Sequence, residues 1–193
     1  SFSSDCSGTI AAGEQKICTV TNTFVPQPKG TIVIVKDTVP NGAQDFAFTT
    51  TGGLTPSSFS LDDDANGTLS NTQTFSNVLT GTYSVTETAV SGFDLTNLVC
   101  SDPDSGSSIS GSTATIDLDA NETVTCTFTN TQRGTIIVEK DTIPNDSTEF
   151  EFISQTLSPS PFTLFDGQSE TFSDLVPGTY DVSETVDPDY NTS

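Results

Sequence analysis

Apolar and polar residues alternate with a period of two along most of this chain. In GTIVIVKD (30–37), Ile32, Ile34 and Lys36 share one face, and Thr31, Val33 and Val35 the other. In GTYSVTET (81–88), Tyr83, Val85 and Glu87 oppose Ser84, Thr86 and Thr88. In TCTFTNT (125–131), Cys126, Phe128 and Asn130 alternate with threonines. β-Branched and aromatic residues at this spacing suit a half-buried pleated surface. Turn signals interrupt at short intervals: Pro40-Asn41-Gly42, Gly52-Gly53, Asn66-Gly67 and Pro177-Gly178. No window carries a persuasive helical period. The pattern predicts an all-β chain of sandwiches of about 100 residues each.

The pattern also repeats, but out of order. GTIVIVKDTVPN at 30–41 returns as GTIIVEKDTIPN at 134–145, an offset of 104. TFSNVLTGTYSVTET at 74–88 returns as TFSDLVPGTYDVSET at 171–185, an offset of 97. The third pair runs the other way: ETVTCTFTNTQRGTI at 122–136 matches EQKICTVTNTFVPQPKGTI at 14–32. The chain therefore divides into a domain tail (1–29), a complete repeat (30–133) and a repeat lacking its last strands (134–193). Joining Ser193 to Ser1 nearly restores the spacing. Glu87 precedes Cys100 by 13 residues, and Glu184 precedes Cys6 by 15 across the join. Two arrangements fit. The chain is one window of a longer tandem polyprotein, or a subunit whose first segment completes the last domain of a neighbour by strand addition. Either builds a linear array, and an open head-to-tail contact makes a filament. The competing arrangement folds 1–29 back onto 134–193 of the same chain.

Composition narrows the function classes. Five Lys plus Arg against 26 Asp plus Glu give a net charge of −21. A surface of that sign repels nucleic acid and anionic membranes. With no His, neither a Ser-His-Asp triad nor an imidazole metal ligand is available. The absence of Met at position 1 points to a processed product or a piece of something longer. No run approaches the ~18 apolar residues of a membrane span. Cys6, Cys18, Cys100 and Cys126 are even in number, widely spaced and without a CxxC pair. Pairing by sequence neighbourhood gives Cys6–Cys18 and Cys100–Cys126, and so an oxidising, extracellular setting. Four buried free thiols in a cytosolic protein are the alternative.

Each repeat places three polar residues on an otherwise apolar face: Lys36, Glu87 and Asn130 in the complete repeat, and Lys140, Glu184 and Asn22 in the split one. Inward charge on a strand is costly unless paired. The ordered motifs IVIVKD, YSVTET and FTNT, then IIVEKD, YDVSET and VTNT, resemble the collagen-adhesin B-type and SpaA-like domains of surface and pilus proteins. That family has immunoglobulin-like β-sandwiches of the prealbumin (transthyretin-like) fold. The resemblance covers nearly the whole chain, although KD stands where the family carries KxD. It implies a spontaneous isopeptide bond from Lys36 to Asn130 assisted by Glu87, and from Lys140 to Asn22 assisted by Glu184. The alternative is a buried Lys–Glu ion pair with Asn as hydrogen-bond partner.

Two weaker signals remain. Asp62, Asp64 and Asn66 resemble the first half of a calcium loop, but the twelfth position is Gln73 and supplies no bidentate carboxylate. A solvated acidic turn competes with the calcium reading, and no other cofactor is expected. N-x-S/T triplets at Asn66, Asn121, Asn145 and Asn191 fall in predicted turns and are candidate N-glycosylation sites.

With no nucleophile beside a base, these features predict a non-enzymatic structural subunit or repeat of an extracellular, pilus-like filament. Its partners would be copies of itself, with cell surfaces or glycans beyond them. The second reading is the stalk or ligand-binding module of an adhesin. Three Tyr, no Trp and few basic residues offer little for a recognition loop.

Overall fold

The structure is a computed structural model, and it describes residues 6–145 and 147–185. No α-helix occurs among them. The strands fall into two sandwiches, one of nine strands and one of five, with a segment of exposed residues before them.

The first sandwich contains β1 (Lys29–Val39), β2 (Phe46–Thr51), β3 (Ser58–Leu61), β4 (Thr72–Leu79), β5 (Gly81–Glu87), β6 (Phe93–Ser101), β7 (Ser108–Ser110), β8 (Thr113–Leu118) and β9 (Thr123–Gln132). One sheet has the order β4-β1-β9-β6, the other β3-β2-β5-β8-β7. β1 and β9 run parallel, with Ile34 opposite Cys126 and Lys36 opposite Phe128. The period-two reading holds: Ile32, Ile34, Val85, Val124, Cys126 and Phe128 are all fully buried. Phenylalanines link the two sheets. The rings of Phe48 and Phe59 stack at 5.1 Å, and Phe48 meets the edge of Phe128 at 5.2 Å. Aromatic pairs in these geometries add to the burial of their area.

The second sandwich contains β10 (Gly134–Glu139), β11 (Phe150–Ile153), β12 (Phe162–Leu164), β13 (Ser169–Leu175) and β14 (Ser183–Glu184). It reproduces the first as far as it goes. β10 pairs antiparallel with β13 as β1 does with β4, with the same register shift after the first glycine. Phe152 stacks on Phe162 at 5.3 Å, as Phe48 does on Phe59. Tyr180 donates its hydroxyl to the Val176 carbonyl at 2.6 Å, as Tyr83 does to Leu79 at 2.7 Å. Among the described residues, β10 has no strand on its other edge and β14 pairs only with β11. In the first sandwich those positions belong to β9 and β8.

The segment 6–28 forms no strand, and every residue in it but Cys6 is exposed. The two disulfides Cys6–Cys18 and Cys100–Cys126 are formed, and no free cysteine remains. Cys100 and Cys126 face each other across the β6–β9 ladder.

Candidate functional site

Lys36, Glu87 and Asn130 converge from three strands. β1 carries Lys36, β5 in the opposite sheet carries Glu87, and β9 carries Asn130. All three lie between the sheets, at 0%, 3% and 2% exposure. Alternation puts each on the inward face of its strand, and the parallel register brings β9 alongside β1 so that Asn130 sits two residues beyond the partner of Lys36. Lys36 Nζ donates to Asn130 Oδ1 at 2.7 Å, to the Phe128 carbonyl at 3.0 Å and to the Asp37 carbonyl at 2.8 Å. It lies 3.5 Å from Glu87 Oε1 and 4.1 Å from the centre of the Phe46 ring. Burial pushes the Lys36 ammonium below its usual range, with Glu87 opposing the shift. Burial likewise holds the Glu87 carboxyl above the usual range, against the pull of Lys36 and Asn130. Both shifts favour the uncharged forms.

In the second sandwich the same geometry is two-thirds present. Lys140 Nζ donates to both Glu184 oxygens at 3.2 Å and lies 3.9 Å from the centre of the Phe150 ring. The pair is more open, at 12% and 14% side-chain exposure. Asn22 lies exposed in the 6–28 segment, and among the described residues no hydrogen bond joins it to Lys140 or Glu184.

Sequence reasoning missed two parts of this site. Phe46 and Phe150 cap the lysines, and both follow from the 104-residue offset once it is applied beyond the obvious motifs. Asp63 accepts the Thr38 amide at 3.0 Å, and Asp166 accepts that of Thr142 at 2.8 Å. Each carboxylate fixes the backbone two residues past its lysine.

Asp63 stands between the calcium candidates Asp62 and Asp64. Asp62 is buried, while Asp64 accepts the Asn66 amide at 2.8 Å and also contacts the Asn66 side chain. Asn66 Oδ1 accepts the amide and hydroxyl of Thr68. Asp64 and Asn66 thus accept from donors of the loop itself. A separate group, Asp102, Asp104 and Glu122, brings one carboxylate oxygen from each within 4.8 Å of the others. Asn66, Asn121 and Asn145 are exposed, and Asn191 lies outside the described residues.

Several solved structures match the chain at low identity and low TM-score. The Bacillus anthracis TIE protein is 17% identical with a TM-score of 0.37, over 86% of this chain and 30% of that one. The chain thus spans under a third of that protein's length. A major pilin protein (T-13) from Streptococcus pyogenes is 16% identical with a TM-score of 0.33, over 86% of this chain and 85% of that one. Another major pilin structure from Streptococcus pyogenes is 18% identical with a TM-score of 0.32, over 84% of this chain and 83% of that one. No curated protein sequence is significantly similar to the chain. The family model described as a SpaA-type prealbumin-like fold domain matches residues 32–132, just over half of the chain. The match ends where β9 ends and takes in Lys36, Glu87 and Asn130, so the chain belongs to the prealbumin-like fold domain family.

Proposed function

We propose that this chain is a structural subunit or repeat of an extracellular, pilus-like fibre. Its sandwiches join head to tail by strand complementation, and Lys–Asn isopeptide bonds lock them. The observation that carries this reading is the buried contact of Lys36 Nζ with the Asn130 amide oxygen, 2.7 Å apart, beside a Glu87 carboxyl whose hold on a proton is raised by burial. The nearby major pilins, at 16–18% identity, are consistent with a surface role.

The chemistry balances without a cofactor. A proton passes from Lys36 Nζ to Glu87, leaving a neutral amine. The amine attacks Cγ of Asn130 while the protonated Glu87 donates a hydrogen bond to the amide. The Cγ–Nδ2 bond breaks as Glu87 gives its proton to the departing nitrogen and takes the second proton from Nζ, and ammonia leaves. One Nζ–Cγ amide remains. This happens once per domain, so it is self-maturation and not turnover. The same steps join Lys140 to Asn22 once a 14–29 segment lies along β10. Between two copies, that bond makes the fibre covalent.

Disulfides and isopeptides both restrict the unfolded chain, which suits a load-bearing stalk. The exposed Asn66, Asn121 and Asn145 offer sites for glycans in an N-glycosylating host. Intact mass spectrometry tests the reading. A loss of about 17 Da per bond marks released ammonia, with a Lys36–Asn130 cross-linked peptide after proteolysis. Lys36→Ala is expected to restore that mass at the first site, and an unchanged wild-type mass would overturn the isopeptide.

A further inference from the structure

We infer that residues 6–24 of a second copy of this chain enter the second sandwich as an arch that meets both of its sheets. In this arrangement 15–24 lies along β10, Ile10 takes beside Gly178 the place that Leu118 holds beside Gly81, and the turn between them seats on Gly134. The inference rests on the fibre reading and deepens it from one added strand to a two-edged insert.

The arch already has its shape. In the first sandwich, β8 passes to β9 through a turn in which the Asp119 amide donates to Glu122 Oε2 at 2.7 Å and the Glu122 amide to the Asp119 carbonyl at 3.4 Å. Asn121 is left-handed there, at φ 62°. In the segment, the Ala11 amide donates to Glu14 Oε2 at 2.8 Å and the Glu14 amide to the Ala11 carbonyl at 3.0 Å, with Gly13 at φ 81°. A constant offset of 108 relates Ala11 to Asp119, Gly13 to Asn121, Glu14 to Glu122, Cys18 to Cys126 and Asn22 to Asn130. The same offset sets Ile10 on Leu118, a fully buried β8 residue. The turn's hydrogen bonds are local to the segment.

The seat is present too. A Cβ on Gly30 would fall 2.8 Å from Leu118 Cδ1 and 2.9 Å from the carbonyls of Asp119 and Glu122. The Asn121 amide donates to the Lys29 carbonyl, and the Thr31 amide to the Glu122 carbonyl, each at 2.8 Å. The first sandwich therefore needs glycine at 30 to admit its arch. Gly134 is the counterpart of Gly30, yet among the described residues a Cβ there meets only the Leu175 carbonyl, at 3.9 Å. No left-handed φ requires a glycine at 134. Glycine within a strand weakens it, so its use there calls for a close neighbour. An arch seated on Gly134 puts Ile10 where Leu118 stands, lets Gly13 donate to the Arg133 carbonyl, and lets Glu14 accept from Thr135.

Both halves carry uncovered apolar surface. Val85 is fully buried beside β8, but its counterpart Val182 is 37% exposed. Ile32 and Ile34 are fully buried, whereas Ile136 and Val138 are only half-buried. On the segment, Ile10 is 63% exposed, and Val20, the counterpart of Phe128, is 54% exposed. The Cys6–Cys18 disulfide shortens the search for the bound shape. The four residues from Cys6 to Ile10 reach about 13 Å, enough to cross the ~10 Å between sheets.

The test compares the purified 193-residue chain with Gly134→Val and Ile10→Asp, by light scattering for assembly and circular dichroism for folding. Both variants are expected to match the wild-type thermal midpoint as monomers and to assemble about tenfold less, as loss of a buried apolar insert implies. If the wild type assembles and both variants keep pace with it, the arch is overturned while simple strand addition along β10 stands. If the wild type stays monomeric at every concentration, the arch and the fibre reading fall together. If it stays monomeric and Gly134→Val lowers its thermal midpoint, the insert comes from the same chain and the second copy is overturned.

Discussion

Lys36 Nζ donates to three other oxygens, while Glu87 Oε1, 3.5 Å away, is buried without a hydrogen-bond partner. A buried carboxylate oxygen left unsatisfied costs about 1–3 kcal/mol or more. Protonating Glu87 relieves that cost and frees the amine for attack, so the orphaned oxygen and the two pKa shifts describe one condition. The consequence is visible in Asn130→Ala, which keeps Lys36 and Glu87 but cannot form the bond. Glu87 is raised in the folded state, so just above the ordinary glutamate range the folded domain holds a proton that the unfolded chain has lost. Stability therefore falls as pH rises through that window. Lys36 is lowered, so just below the ordinary lysine range the unfolded chain holds the extra proton, and stability rises with pH there. Urea melts of Asn130→Ala across pH are expected to trace this shallow trough. A profile flat from acid to alkali would show that the pair titrates as it does in water.

At the scale of elements, the first sandwich is tied twice along β9: by Asn130 to β1 and by Cys126 to β6. The second tie closes a 26-residue separation. Replacing both Cys100 and Cys126 by Ser is expected to cost about 3 kcal/mol, read from denaturant melts of a Lys36→Ala background in which the other cross-link is absent. With Lys36 intact, the loss should shrink, because the isopeptide already restricts the same stretch of unfolded chain. An equal loss in both backgrounds would mean that no isopeptide constrains β9. The strands themselves were legible from alternation, and the inward face of Lys36, Glu87 and Asn130 followed from counting by two along three segments. The order β4-β1-β9-β6 was not legible. Which strands become neighbours depends on pairing between residues far apart in the chain, such as Ile34 with Cys126, and local periodicity is silent on it. The ring of Phe46 over Lys36 and the hold of Asp63 on Thr38 were hidden for the same reason. Asp63 lay inside an acidic run that reads equally well as a solvated turn.

At the scale of the whole molecule, the charge is distributed in a way that bears on assembly. Residues 1–29 carry Asp5 and Glu14 against Lys16 and Lys29, so the entire −21 belongs to residues 30–193. A neutral segment can approach an acidic sandwich without local repulsion, while the sandwiches themselves repel one another. That repulsion is long-ranged at low ionic strength and screened within about 10 Å at 0.1 M salt. Association of copies should therefore speed up between 10 mM and 150 mM sodium chloride, as followed by light scattering. Beyond that range the gain should level off, because the contacts expected at the joint are backbone hydrogen bonds and buried apolar groups such as Ile10 and Val20. Docking driven by opposite charges predicts the reverse trend, with assembly slowing as salt is added. An inverse salt dependence would thus move the contact away from the neutral segment and onto the few basic residues, of which only Arg133 and Lys140 lie in or beside the second sandwich. Arg133 is already engaged by Asp94 in a two-point pair, and Lys140 by Glu184. With both cations taken, the acidic bodies have little to attract one another, and screening remains the means by which salt can help a fibre of this composition to grow.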